Sequence, residues 1–489
     1  MGGKKMRRGK LYVLTVVMAM ALWLALFALA PALAEEQPAG GTGEGDPVSE
    51  PSETSGTQGG GAALQLVKEP SAGPCLSNFS DINTAGFGNP DNRYSWSMVN
   101  FKGKIYVGTW NLRTPLSIFQ LVLGFLSPGF LAGTTSGTEV WRYDGGLTGK
   151  SWTRVVDNGL GDIDNMGLRN MVVWDDPDDV PDRGPAIYGT TINLKDGLEV
   201  WRSFDGANWE IVVGRGARIG NGFGHGASNE SGRGMLAVGD HLYVGAMRVQ
   251  GGQIWRTANG VDWELVTSVQ KLESGLFGWI YNMGSLAMAD MCLFDDDGDG
   301  EEELFVGTWR LFGFSIYKHD FASGKWSRVA EFGIRKGSNV GVHQLVPFNG
   351  RIWVLTVNFS SGFDVYASKP ANPAGIRNNA DWELVAEKGF TDAGNYYAWE
   401  GIVYPLDPGG DELPESRLFI GTFNLNRGFY LYSVTRGGEW AVEVGRGSRV
   451  PNGISTTLNY GVRTMALYEG RLVIGCAGMM KGTDVYLAW

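Results

Sequence analysis

Cysteine and histidine are both scarce in this sequence, which has three cysteines and four histidines among 489 residues. So few cysteines exclude a disulfide-rich scaffold, and because three is an odd number, at most one internal disulfide can form. The Gly-x-Ser-x-Gly motif of serine hydrolases is absent. The histidines lack the spacing of zinc ligands; they are His225, His241, His319 and His343. The sequence therefore gives little support to metal-dependent or serine-dependent hydrolysis.

Positive charge is also in short supply. Lysine and arginine total 41 against 52 aspartates and glutamates, and the net charge is −11 at pH 7. This balance argues against nucleic acid or an anionic membrane surface as the main partner. Glycine and tryptophan, in contrast, are abundant, with 74 and 18 residues. That combination favours many short strands joined by tight turns rather than helices.

The N-terminal 34 residues have the features of a targeting segment and are not expected to be part of the folded domain. A basic segment precedes an apolar run over residues 11–30, and Pro31 and Ala32-Leu33-Ala34 follow as a plausible signal-peptidase site. The run is also close to membrane-spanning length. Residues 1–34 are thus predicted to be a signal peptide or a retained N-terminal anchor, and either places the body at the cell surface or in the secreted fraction. Residues 35–62 have the composition of a disordered linker.

Three short phrases recur along residues 63–489. The first appears as "KIYVGTWN" from Lys104 and "ELFVGTWR" from Glu303, the second as "EVWR" from Glu139, and the third as "WTRV" from Trp152. Each alternates apolar and polar residues, as strands do, and another apolar strand precedes the first phrase. Seven such units of four antiparallel strands predict an all-β fold, a seven-bladed β-propeller.

The last unit stops at Trp489 without its third phrase, and the open strand edge needs a cover. An N-terminal strand is predicted to complete the last blade and close the ring, with residues 63–67 ("ALQLV") as the candidate. Cys75 follows this segment and Cys476 lies in the blade that it would complete, so the two are candidates for a disulfide. Cys292 is predicted to be a buried thiol.

An acidic stretch, "FDDDGDGEEELFVGTW" from Phe294, runs into the fourth unit. Alternating carboxylates on a glycine-bent loop can converge on one hard cation. We expect a structural Ca²⁺ ion; the alternative is a solvated acidic turn. The predicted ligands are Asp295, Asp297, Asp299 and Glu303.

Two further resemblances concern the turns. "SFDGANW" from Ser203, "TANGVDW" from Thr257 and "RYDGGLTGKSW" from Arg142 resemble the Asp-box turns of sialidases and other secreted propellers. The acidic stretch is similar to the calcium hairpins of integrin-type FG-GAP repeats. These resemblances imply the propeller fold. Membership of the sialidase family would also imply three substrate-binding arginines and a Tyr/Glu pair. Sialidases have an Arg-Ile-Pro motif near their start as well, and this motif does not occur in the sequence.

An asparagine recurs at the start of each innermost strand, and it is interpreted as a turn cap. The residue four positions later is expected at the mouth of the central channel. In six units these residues, the predicted ligand-binding set, are Trp96, Arg169, Arg233, His343, Trp399 and Arg463; the fourth unit, counted from Asn282, supplies Leu286. Arginine forks and tryptophan faces suit an anionic or carboxylated sugar. Alternatively, the arginines pair with blade carboxylates such as Glu400 and line a water-filled channel.

These patterns predict that the protein recognises an extracellular ligand at the mouth of the central channel, the upper funnel. A carbohydrate or anionic small molecule is the first candidate ligand, and a protein is the second. The alternative is a glycan-active hydrolase or lyase, in which Tyr396, Tyr397 and Glu400 act in catalysis beside the arginines. The apolar loop 115–131 is expected to be a lid, a docking patch or a packed helix. Membrane contact is expected only through the N-terminal segment, if it is retained.

Overall fold

A computed structural model describes residues 63–113, 134–146, 150–177, 183–248, 251–273, 285–454, 458–478 and 480–489. The predicted signal segment, the linker, the apolar loop 115–131 and Asn282 lie outside these ranges. Within them no helix is long and apolar enough to cross a membrane.

The described residues form 28 strands and few helices, so the all-β prediction is confirmed. The strands are β1 (Phe79–Asp81), β2 (Asn92–Phe101), β3 (Lys104–Asn111), β4 (Val140–Tyr143), β5 (Trp152–Val156), β6 (Gly167–Trp174), β7 (Ala186–Ile192), β8 (Val200–Ser203), β9 (Glu210–Val213), β10 (Ser231–Val238), β11 (His241–Met247), β12 (Gln253–Thr257), β13 (Glu264–Ser268) and β14 (Ser285–Phe294). They continue as β15 (Glu303–Arg310), β16 (Ile316–Asp320), β17 (Lys325–Ala330), β18 (Gly341–Phe348), β19 (Arg351–Val357), β20 (Val365–Ser368), β21 (Trp382–Ala386), β22 (Tyr397–Leu406), β23 (Glu412–Phe423), β24 (Leu431–Thr435), β25 (Trp440–Val444), β26 (Asn459–Tyr468), β27 (Arg471–Gly478) and β28 (Val485–Ala488).

Consecutive strands pair antiparallel in groups of four. The first group is β2 to β5, and the later groups start at β6, β10, β14, β18, β22 and β26. A single residue pair joins the second strand of each group to the first strand of the next, as between Trp110 and Gly167. The bridge between β27 and β2 joins the last group to the first. The first two strands of the groups thus form a closed ring of fourteen antiparallel strands.

The glycine of the first repeated phrase lies where neighbouring groups approach most closely. A Cβ atom on Gly307 would stand 2.5 Å from the Val342 side chain, and one on Gly421 would stand 2.3 Å from Val462. Apolar clusters fill the space between groups, and one joins Tyr188 of the second group to Leu242 of the third. The phrase therefore recurs because each copy combines an apolar strand with a glycine that lets the next group pack.

Helical turns occupy the connections between groups. They are Ala85–Gly88, Asn158–Gly161, Asn221–Gly224, Gly226–Ser228, Val269–Leu272 and Phe332–Arg335, and one further turn, Asn379–Asp381, lies inside the fifth group between β20 and β21. Most hold a glycine and an apolar residue that both have positive φ, as at Gly159 (63°) and Leu160 (62°). The amide of Asn165 donates to the Gly159 carbonyl at 2.9 Å, and similar bonds are formed by four other asparagines, Asn92, Asn229, Asn339 and Asn395. The interpretation of the recurring asparagine as a turn cap agrees with this geometry.

An N-terminal strand does complete the last group, but it is β1 and not the predicted segment 63–67. β1 pairs with β28, and the Ile82 amide donates to the Val485 carbonyl at 2.9 Å. Residues 63–67 lie at another group, where Val67 bridges to Ala386 beside β21. The intervening chain crosses the sixth group, since the amides of residues 71 and 72 both donate to the Trp440 carbonyl. We call residues 64–83 the strap.

The position of the strap explains why the predicted disulfide is not formed. Cys75 and Cys476 are both free thiols. The Cys75 thiol donates to the Glu443 carboxylate at 3.4 Å, on β25 of the sixth group, whereas Cys476 is buried within β27 of the last group. Cys292 is a buried thiol, as predicted.

Candidate functional site

A β-bulge interrupts the innermost strand of every group near its start. The shift in register falls between Ser95 and Ser97 in β2 and between Leu168 and Asn170 in β6, and it recurs in the other five innermost strands. A bulge leaves one residue without a partner on the neighbouring strand and changes the direction of its side chain. The extra residues are Trp96, Arg169, Arg233, Ala289, His343, Trp399 and Arg463.

These bulges surround a cavity of about 290 Å³ that all seven innermost strands line; we call it the axial cavity. The six predicted ligand-binding residues all occupy bulges, and all except Trp399 line the cavity; Trp399 packs beside it. The next residue along the strand forms a polar tier, which comprises Ser97, Asn170, Asp290, Gln344, Glu400 and Thr464. One position further lies an apolar tier, which comprises Met98, Met171, Met235, Met291, Leu345 and Met465.

The fourth group corrects the sequence alignment. Ser285 pairs with Arg310 as Asn92 pairs with Asn111, so Ser285 holds the place that the sequence reading gave to Asn282. The residue of this group that matches Trp96 is therefore Ala289, whereas Leu286 lies at an earlier shift and matches Arg93. Asp290 then holds the same position as Glu400, and both carboxyl groups face the axial cavity. Sequence reasoning missed Asp290 because a three-residue shift in the turn displaced the register.

The three arginines lie on aromatic faces. The guanidinium of Arg169 lies 4.8 Å from the ring centre of Trp96, and that of Arg233 lies 4.5 Å from Trp309. Arg463 lies 5.4 Å from Trp399. Such stacking positions a guanidinium and leaves its in-plane donors available.

Polar partners are few for these arginines. Arg169 donates to the Ser231 hydroxyl at 3.3 Å, and the buried Nε of Arg463 has no hydrogen-bond partner. Across the described ranges, none of the three is within 4.0 Å of a carboxylate. Of the blade carboxylates that could pair with them, Glu139 instead accepts from Asn92 at 2.7 Å, whereas Glu400 lines the cavity.

Burial and mutual repulsion shape the charges of this site. Burial and the charges of Arg233 and Arg463 hold the pKa of Arg169 well below its usual value. Burial lowers the pKa of Arg233 and of Arg463 to about 10, so both remain charged at neutral pH. His343 is neutral because burial and the three arginines hold its pKa well below the usual value. Because a guanidinium group keeps its proton in proteins, the cavity contains three concentrated positive charges.

The carboxyl groups of the site are shifted in the opposite sense. Burial raises the pKa of Asp290 to about 7, although the Leu345 amide donates to its carboxylate at 2.7 Å. Burial, with a contribution from Asp290, raises the pKa of Glu400 to about 8. Burial also raises the pKa of Glu230, close to Arg169, to about 8. These groups leave the positive charge largely uncompensated at and below neutral pH.

The predicted catalytic cluster is not assembled. Glu400 faces the cavity, but in the part of the chain that the structure describes neither tyrosine is hydrogen-bonded to it. Tyr397 packs in an aromatic cluster, with its ring centre 5.0 Å from Phe423 and 5.8 Å from His343. Tyr396 packs against Phe359 at 6.1 Å. The tyrosines thus contribute apolar surface beside the cavity.

The acidic hairpin lies at the opposite end of β14 from the cavity residues. Carboxylate oxygens of Asp295, Asp297 and Asp299 lie within 4.8 Å of one another, a spacing that suits a hard cation. Glu303 is not in this group; its carboxylate accepts from the Asp296 amide at 3.4 Å. Asp296, which the sequence reading passed over, is buried and pairs with Lys318 at 2.9 Å.

No protein-family model matches this chain, and no curated protein matches it. Solved structures that resemble it include a luciferin-regenerating enzyme, at 12% identity over 62% of this chain and 87% of that one, with a TM-score of 0.36. Aleuria aurantia lectin in complex with alpha-methyl-L-fucoside matches at 9% identity over 74% and 97%, also at 0.36. Trypanosoma rangeli sialidase in complex with sialic acid matches at 9% over 62% and 52%, at 0.36. Likeness at this level does not indicate what this protein binds.

Proposed function

We propose that the protein is a seven-bladed β-propeller that acts outside the cytoplasm and binds a small anionic ligand in its axial cavity. The ligand class is a carboxylated sugar or another compact oxyanion. The observation that carries this proposal is the convergence of Arg169, Arg233 and Arg463 on one cavity without a carboxylate ion partner. A guanidinium charge withdrawn from water and left unpaired is costly, and an oxyanion would supply the missing partner.

The size of the cavity supports a small ligand. Its volume of about 290 Å³ lies at the lower end of the range for ligand sites, which begins at about 300 Å³. The apolar tier under the polar one offers no further charged contacts. A single sugar ring with an acidic substituent suits these surroundings, since the polar tier offers hydrogen-bond partners and the arginines offer paired donors. A protein ligand would have to present one acidic side chain to the same site.

Isothermal titration calorimetry at pH 6.5 tests the proposal. The probes are glucuronate, N-acetylneuraminate and sulfate, with glucose as the neutral control. We expect at least one anion to bind and glucose not to bind. Arg463→Gln should weaken anion binding about tenfold or more, because a charged hydrogen-bond partner is lost. Arg215→Gln, at an exposed arginine outside the cavity, is the matched control and should bind as the wild type does.

Two results would contradict the proposed anion binding. If no anion binds to folded wild-type protein, or if Arg215→Gln weakens binding as much as Arg463→Gln, the axial site is not an anion site. Chromatography after incubation with uronate and sialate glycosides, which have a glycosidic bond to break, distinguishes binding from turnover. Cleavage of a uronate or sialate glycoside would favour the hydrolase or lyase alternative.

A further inference from the structure

Asp290 and Glu400 are not needed to hold the arginines, since neither forms an ion pair with them within 4.0 Å in the described residues. They nevertheless line the same cavity as the arginines, each one position beyond the bulge residue of its own strand, Ala289 or Trp399. An anion bound between the guanidiniums would therefore lie close to two carboxyl groups. When these groups are ionised, they repel the anion and neutralise part of the arginine charge.

We infer that the axial cavity binds its anion together with protons held by Asp290 and Glu400, so that these two residues determine which ligand charge the site accepts. This inference rests on the proposed anion binding. A protonated carboxyl group can donate a hydrogen bond to an oxyanion, whereas an ionised one can only accept. At a pH where one of these groups is ionised, it takes a proton from solvent when the anion enters and returns it to solvent when the anion leaves.

The surroundings of Asp290 agree with this role. The Leu345 amide, from the fifth group, donates to its carboxylate, and Arg233 and Glu400 are the charged groups that face it. Cys292, on the same strand, is a buried neutral thiol. Burial and the neighbouring acid Glu400 offset the effect of the one cation, Arg233, on the pKa of Asp290. The pKa of about 7 places the proton loss of Asp290 in the neutral range.

Glu400 lies in a similar environment. Arg463 and Asp290 are the charged groups that act on it, and the Met465 amide donates to it. Gln344 separates the two acids in the tier, and its side-chain oxygen accepts from the Gly401 amide at 2.5 Å. His343 is neutral and adds no charge. The pKa of about 8 keeps Glu400 largely protonated at neutral pH.

The direction of the pH effect follows. Below pH 6 both carboxyl groups are protonated and three arginine charges act on the ligand. As pH rises through about 7 and then about 8, first Asp290 and then Glu400 ionises. We expect the affinity for an anion to fall about tenfold or more between pH 6 and pH 9, because each new negative charge lies within a few ångströms of the ligand.

Calorimetric titration with sulfate and glucuronate, neither of which changes charge above pH 6, measures this coupling. Repeating the titration at pH 7.5 in buffers of different ionisation enthalpy gives the number of protons taken up. We expect uptake of about one proton per anion. Asp290→Asn and Glu400→Gln should each flatten part of the pH profile, and the double variant should remove it while still binding at pH 6.

Glu230→Gln is the matched control, because Glu230 is a buried acid near Arg169 that does not line the cavity. It should keep the pH profile of the wild type, and thermal melting of each variant shows that it is folded. If both probes bind with constant affinity and no proton uptake, the inference is wrong although the proposed function stands. Loss of the profile in Glu230→Gln alone also overturns it. Failure of both probes to bind wild-type protein at pH 6 contradicts the proposed function itself.

Discussion

The side-chain amide of Asn193 donates to the side-chain oxygen of Asn165 at 3.1 Å, and both residues are fully buried. The same bond joins Asn111 to Asn92, Asn358 to Asn339 and Asn424 to Asn395. Each pair connects the turn before a group with the end of its second strand. The repeated asparagines therefore join the connections to the strands, which explains why they recur although the ligand-facing residues vary.

Replacing Asn165 tests this joint. Asn165→Ala would leave the Asn193 amide, the Gly159 carbonyl and the Glu199 carboxylate without a shared partner. We expect the free energy of unfolding to fall by about 2–4 kcal/mol, because buried polar groups lose their bonds. Guanidinium denaturation followed by circular dichroism measures it. Asn208→Ala, at an exposed turn, should change stability by about 0.5 kcal/mol or less; equal losses would contradict this account.

Chelation tests the proposed calcium ion at the acidic hairpin. We expect EDTA to lower the melting temperature and added Ca²⁺ to restore it, because a bound ion stabilises only the folded loop. Asp297→Asn should abolish the EDTA effect and leave sulfate binding in the axial cavity unchanged.

The control for this experiment is a second acidic group, formed by Asp162, Asp164 and Asp196. Lys195 already pairs with Asp164 at 2.5 Å, so Asp164→Asn should keep the response to EDTA. If EDTA does not change the melting temperature of the wild type, the proposed calcium ion is contradicted.

The strap offers a test of ring closure. Asn83 is fully buried; its side-chain oxygen accepts from the Val485 amide at 2.7 Å, and its amide donates to the Thr483 carbonyl at 3.2 Å. Asn83→Ala is expected to lower the free energy of unfolding by about 2–3 kcal/mol. Hydrogen exchange should rise first in β28, because β1 is the strand that pairs with its outer edge among the described residues. Asn78→Ala, at an exposed position of the strap, should leave β28 protected.

The buried Asp290 predicts how stability depends on pH. Its folded pKa of about 7 lies above the ordinary value of 3.8, so the stability that it contributes is full below about pH 4 and is lost as pH rises through 7. Asp290→Asn should therefore melt about 1–2 °C above the wild type at pH 8, and this advantage should disappear at pH 4. Scanning calorimetry measures the difference. Asp240→Asn, at an exposed carboxylate, should show no such trend.

Much of this architecture follows from the repeat. Because the strand phrases recur in register, the sequence pattern correctly predicts five of the six ligand residues at the axial cavity. It could not locate Asp290, because the turn before β14 departs from the others and Ser285 replaces the asparagine. It could not place the strap either, since residues 64–78 contact the sheet through isolated bonds and β1 itself is only three residues long. The bulges leave no sequence signal except the Arg-x-Met pattern, as at Arg233 and Met235.

The closure of the ring has a consequence for chain connectivity. The Ser77 amide donates to the Trp489 carbonyl at 3.0 Å, so the strap and the end of β28 lie side by side. A short peptide could join these points, and new ends could be opened at the exposed turn of Lys102 and Gly103 without loss of a strand pairing. In the natural order, β1 precedes every other described strand and must wait for β28. In a circular permutant, β28 and β1 would be close in sequence and could pair as a hairpin. The rate of ring closure would then no longer depend on the order in which the strands are synthesised.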